Sequence, residues 1–136
     1  MDRIRACAAS SNITVALSYS ENFHNSAYIA QSLIGNDGTI LLHRRKIKPT
    51  HMERTVFGDG AKDSLDNVAN TGIGRVGMLS CWEHTQPLLK YHTYLQRELF
   101  HVGAWPPLFD HAEQPHTLWS MSRQGKLSTA DGGDSY

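Results

Sequence analysis

Gly74-Arg75-Val76-Gly77-Met78-Leu79-Ser80-Cys81-Trp82-Glu83-His84 is the stretch on which the fold turns. A mostly apolar run of strand length reaches a cysteine. Pro87 then opens an amphipathic segment in which Leu88, His92, Leu95 and Leu99 fall at helical spacing. A buried strand feeding a helix belongs to a layered α/β fold. A cysteine at that junction has its sulfur at the edge of the sheet, where backbone N–H groups can stabilise a thiolate or a developing oxyanion. By itself, a lone cysteine beside a strand is most often a small core residue, so its surroundings have to decide.

Working outward, residues 2–9 have helix-forming composition, and Ser10-Ser11-Asn12 closes that helix. Strands are predicted over residues 13–19, 27–34 and 39–45, with the polar residues 20–26 interrupting the first two. Gly35-Asn36-Asp37-Gly38 is a hairpin turn, because Asn, Asp and Gly tolerate positive φ. From residue 46 to 62 the periodicity fades into a long loop marked by Pro49, Gly58 and Gly60. Asn70-Thr71-Gly72 marks a second hairpin, residues 101–105 another strand, and Pro106-Pro107 its end. The order α-β-β-β-loop-β-β-α-β favours a sandwiched α/β arrangement over a helical bundle.

The chain has 136 residues, enough for one domain with a core. Thirteen basic residues balance 13 acidic ones, and no long Lys/Arg run occurs, which argues against nucleic acid as a partner. No apolar stretch approaches bilayer length, so no membrane span is expected. Cys7 and Cys81 lie far apart and point to reduced thiols, hence a cytoplasmic setting. The eight histidines lack zinc-ligand spacing, so no metal is expected.

A second motif joins Cys81: Arg44-Arg45-Lys46-Ile47-Lys48-Pro49-Thr50-His51-Met52-Glu53-Arg54. Such a run is usually a solvated basic face. Here it sits where a hairpin strand ends, so Lys46 points from a strand edge and Glu53 can return from the loop to hold its ammonium. A Glu-paired lysine is a fixed point charge suited to a tetrahedral intermediate. Cysteine, lysine and glutamate are together the ingredients of thiol-based acyl or imidoyl chemistry.

The segment from His43 to Gly60 closely resembles the lysine region of nitrilases, the carbon-nitrogen hydrolase family, and Gly74 to Tyr91 resembles their cysteine region. His101-Val102-Gly103-Ala104-Trp105-Pro106-Pro107 and Leu118-Trp119-Ser120-Met121-Ser122 are similar to the next two blocks, in the same order. Pro49-Thr50-His51-Met52-Glu53-Arg54 and Cys81-Trp82-Glu83-His84-Thr85-Gln86-Pro87 look most like the fungal cyanide hydratases of that family.

The resemblance implies a partial αββα sandwich, with residues 1–125 as the central part of the domain and 126–136 as a divergent, disordered tail. It implies Cys81 as the nucleophile that forms a thioimidate with a nitrile, and Lys46 as the residue stabilising the tetrahedral species. Glu53 would orient the lysine or water, and Trp82, Glu83, His84, His51 and Trp105 would line the pocket or pack behind it. The substrate it implies is a small nitrile, most closely hydrogen cyanide converted to formamide with no metal or organic cofactor, and it implies assembly as homo-oligomers. The family's general-base glutamate, in a Phe-Pro-Glu-type segment, has no counterpart among these residues. The alternative expectation is therefore a truncated nitrilase fragment without activity of its own.

Overall fold

The structure, a computed structural model, describes residues 1–105. The Leu118–Ser122 block and the tail from residue 126 lie outside the described residues. Helix α1 spans Asp2–Ser11 and closes on Asn12, whose left-handed conformation (φ 53°) suits an Asn cap. The strands that follow are β1 (Val15–Phe23), β2 (Ser26–Ile34) and β3 (Ile40–Arg45), paired antiparallel in that order. The second sheet holds β4 (Val68–Thr71), β5 (Gly74–Ser80) and β6 (Phe100–Ala104). There β4 runs antiparallel and β6 parallel to β5. Helix α2 (Pro87–Leu95) makes the crossover that a parallel β5–β6 pair requires.

Leu33 and Leu42 from the first sheet meet Val76 and Met78 from the second in one buried cluster, flanked by Ala69 and Val102. The two inner sheet faces therefore make the core, as in a partial αββα sandwich. The expected element order is the one found, with three short 3-10 turns added: His51–Thr55 and Lys62–Leu65 in the long loop, and Cys81–Thr85 after β5.

Two expectations need correction. Residues 20–26 do not interrupt the sheet: β1 runs on to Phe23 and turns through His24 and Asn25, both at positive φ (49° and 61°). Along β1 alternate residues are half-buried, and Glu21 takes one of those inward places. Its charge is met there by Arg45 Nε at 2.6 Å and by His43. The amphipathic segment also stops short of Leu99. Arg97 takes a left-handed turn (φ 57°) that redirects the chain into β6.

Candidate active site

Two short sequences fold alike. Thr50-His51-Met52-Glu53 and Ser80-Cys81-Trp82-Glu83 each open a 3-10 turn. In each, the glutamate three residues on accepts a hydrogen bond from the first residue's backbone N–H: Thr50 N to Glu53 Oε2 at 2.7 Å, and Ser80 N to Glu83 Oε2 at 2.8 Å. This is the Ser/Thr-x-x-Glu capping pattern. Each turn carries its second residue at positive φ, 50° for His51 and 49° for Cys81. Left-handed backbone is strained for an ordinary L-residue and recurs where a side chain must be aimed. Each turn is closed alike, by Thr55 Oγ1 on Met52 O and Thr85 Oγ1 on Trp82 O, both at 2.8 Å.

Beneath these turns lies a buried ion pair that joins the two motifs. Arg44 and Glu83 form a two-pronged pair, Nη2 to Oε1 at 2.6 Å and Nη1 to Oε2 at 2.7 Å, with both side chains buried. Glu83 Oε1 also accepts from Ile47 N (2.9 Å), so the two carboxylate oxygens take four hydrogen bonds. One carboxylate thus fixes the backbone beside Lys46 and the backbone beside Cys81. Gln31 completes the floor, accepting from Arg44 Nη1 (2.6 Å) and donating to Leu79 O (3.2 Å). Arg44 and Gln31 were missed because a basic run and a strand glutamine carry no burial signal alone. Alternation along β3, with Leu42 and Arg44 on its buried face, was the available clue.

Lys46 follows β3 and is buried, with its ammonium donating to Glu53 Oε2 at 2.5 Å and to Thr50 Oγ1 at 3.0 Å. Two of its three protons are thereby placed, leaving one for an incoming atom. Gly60 makes this packing possible: its N–H bonds Lys46 O (3.0 Å), and a Cβ there would stand 2.8 Å from the same oxygen. Burial pushes the Glu53 carboxyl up. The Lys46 hydrogen bond, the Thr50 N–H and the lysine charge outweigh it and hold the carboxyl below its ordinary range.

Cys81 is buried, whereas Cys7 is exposed on α1. Burial raises its thiol pKa, while the Lys46 charge and a hydrogen bond from Trp82 N–H pull the other way. The negative charges of Glu53 and Glu83 oppose ionisation. Thiol, ammonium and both carboxylates therefore act on one another in one place.

Among the other expected residues, Trp82 is exposed and contributes its backbone N–H. His51 stands exposed at the head of its turn. His84 Nδ1 lies 2.6 Å from Cys81 O. Trp105 is the last described residue, half-buried just after β6. Among the described residues no group of three or more His, Cys, Asp or Glu is arranged to hold a metal ion. No helix there is long and apolar enough to cross a membrane.

The carbon-nitrogen hydrolase family profile matches residues 1–126. The chain belongs to the carbon-nitrogen hydrolase family. It is 62% identical over 130 residues to an arylacetonitrilase of Aspergillus kawachii, a match covering 96% of this chain and 39% of the relative. An arylacetonitrilase of Aspergillus niger is 61% identical with the same coverage. The chain thus spans about two-fifths of the length of these relatives. A carbon-nitrogen hydrolase from Helicobacter pylori has the same fold, with TM-score 0.73 at 17% identity over 91% of this chain and 42% of that one.

Proposed function

We propose that this chain carries the nucleophile, the lysine and one glutamate of a nitrile-hydrolysing enzyme. The observation that carries the reading is the Lys46–Glu53 pair, its lysine buried, acting on the Cys81 thiol. In the proposed reaction the Cys81 sulfur attacks the nitrile carbon, forming an S–C bond as one C≡N π bond opens. The thiol proton goes to nitrogen and leaves a thioimidate. Lys46 stabilises charge on the nitrogen, and later on the tetrahedral species formed by water. Loss of ammonia then gives a thioester, which a second water hydrolyses to the acid; loss of the thiol instead gives the amide. The relatives' name, arylacetonitrilase, favours an aryl-substituted acetonitrile over the hydrogen cyanide expected from motif wording.

One observation supports a second reading, that the 136-residue chain does not turn over alone. Both carboxylates acting on Cys81 are already engaged, Glu53 by Lys46 and Glu83 by Arg44. A general base contributes about 10²–10⁴-fold, and neither carboxylate is placed to supply it. The test is to incubate the chain with phenylacetonitrile, and separately with cyanide, and quantify acid, amide and ammonia against Cys81→Ala. Cysteine-dependent acid or amide from phenylacetonitrile supports the first reading. Absence of product with Cys81 still modified supports the second. Equal product from Cys81→Ala overturns both.

A further inference from the structure

A chain of side chains behind Cys81 has no place in the chemistry above. His84 Nδ1 lies 2.6 Å from Cys81 O, His84 Nε2 lies 3.0 Å from His101 Nε2, and His101 Nδ1 lies 2.7 Å from Glu98 Oε2. Hydrogen-bond valence orders its protons. A carbonyl only accepts, so His84 Nδ1 carries hydrogen. One hydrogen lies between the two Nε2 atoms, donated by one ring and accepted by the other. The Glu98 carboxylate accepts as well, so His101 Nδ1 also carries hydrogen, and the two rings share three hydrogens, one imidazolium and one imidazole held against a carboxylate. The same proton on Glu98 would run against the ordinary basicities of the two groups.

Two further observations show that the arrangement is built into the fold. Gly77 pairs with His101 across β5 and β6, and a Cβ at Gly77 would lie 1.8 Å from Glu98 Oε2. The glycine therefore vacates the space that the Glu98 carboxylate occupies. His101 and His84 also meet edge to face, with ring centroids 5.1 Å apart. Besides His101, the charged groups acting on His84 are Glu83 and Lys90. Burial first, and then the charge on His101, hold His84 below the ordinary imidazole range, against the hydrogen bond at Cys81 O that raises it.

The consequence falls on one peptide group. Cys81 O and Trp82 N–H belong to the same peptide, and that N–H favours the ionised Cys81 sulfur. A donor at the oxygen, strengthened by a cation behind it, makes the N–H end a stronger donor. We propose that Glu98, His101 and His84 form a proton-ordered relay that polarises the Cys81–Trp82 peptide and so stabilises negative charge at the sulfur, with His84 a positioning residue for the nucleophile. The inference rests on Cys81 being the nucleophile, as proposed above, but its test needs no nitrile.

The test uses the whole chain with Cys7→Ser, so that Cys81 is the one thiol read. Long-range proton–nitrogen spectra of ring-labelled histidine at pH 7 are expected to show His84 protonated at Nδ1 and bare at Nε2, and His101 protonated at both nitrogens. Glu98→Gln should render His101 neutral while His84 keeps its tautomer. Alkylation of Cys81 by iodoacetamide, followed against pH, should slow by about three- to tenfold at pH 8 in His84→Ala, its profile moving to higher pH. His84→Asn, whose amide can still reach Cys81 O, should recover most of that loss. His84 protonated at Nε2, a neutral His101 in the parent chain, or a His84→Ala profile that overlays the parent's overturns the relay. If His84→Ala does not fold, the parent spectra and the Glu98→Gln spectrum decide alone. Absence of nitrile chemistry with these spectra intact would count against the proposed function and leave the relay standing.

Discussion

Cys81 and His51 sit in left-handed backbone, a conformation that costs of order 1–3 kcal/mol for a residue other than glycine. At Cys81 the Lys46 charge and Trp82 N–H act on the sulfur. Because the thiol is buried and ionises late, a general alkylating agent at pH 8 should modify exposed Cys7 first, as peptide mapping would show. Lys46 depends on Glu53 for its direction. Glu53→Gln should slow nitrile capture at Cys81 by about 10²-fold, read as the rate of adduct formation. An unchanged rate would remove Glu53 from the mechanism. The carboxyls of Glu53 and Glu21 are held below their ordinary 4.5, Glu21 chiefly by its hydrogen bond from Arg45. They therefore stabilise the fold above that value and lose the contribution as pH falls through their lower folded values. Denaturant midpoints should be level between pH 7 and 5 and drop towards pH 3. A flat profile to pH 3 would contradict the pairing. The Lys46–Glu53 pairing was legible in the sequence because its motif is local. The Glu98–His101–His84 chain was not, since it assembles across a parallel strand pair whose register no local pattern states.

At the scale of elements, the twin turns that carry His51 and Cys81 depend on what fixes their first residues. Glu83 does this for one turn directly, through Ser80 N, and for the chain entering the other through Ile47 N. Removing one member of a buried, fully hydrogen-bonded pair leaves an uncompensated charge and costs about 3–5 kcal/mol. Glu83→Gln should lower unfolding free energy by that order, measured by urea titration. A loss below about 1 kcal/mol would mean that Arg44 finds another partner. The Ser/Thr-x-x-Glu pattern at Thr50 and Ser80 was present in the sequence and would have located both turns. It was overshadowed by the loop composition on one side and by the amphipathic segment on the other. The β1–β2 hairpin was read as interrupted for a similar reason: Glu21 looks like a break until its partners on β3 are known.

For the molecule as a whole, the two sheets bury one cluster, but α2 leaves Leu88, Tyr91, Tyr94 and Leu95 exposed, Leu88 by 84%. Exposed apolar residues on one helix are a site of association. The chain should therefore sediment above monomer mass, and Leu88→Glu with Leu95→Glu should return it towards monomer. A monomeric parent chain would contradict this. Element order and sandwich class were legible because each strand and turn announced itself locally. The buried Arg44–Glu83 floor was not, because it joins residues 39 apart in the chain. The central claim is that Cys81 is a nucleophile towards nitriles. Its most direct measurement is intact-mass and peptide-mapping spectrometry of the chain after acid quench from phenylacetonitrile. A single adduct on the Cys81 peptide, with none on Cys7 and none in Cys81→Ala, is the predicted result. An unmodified Cys81, or an adduct on Cys7 instead, would contradict the account.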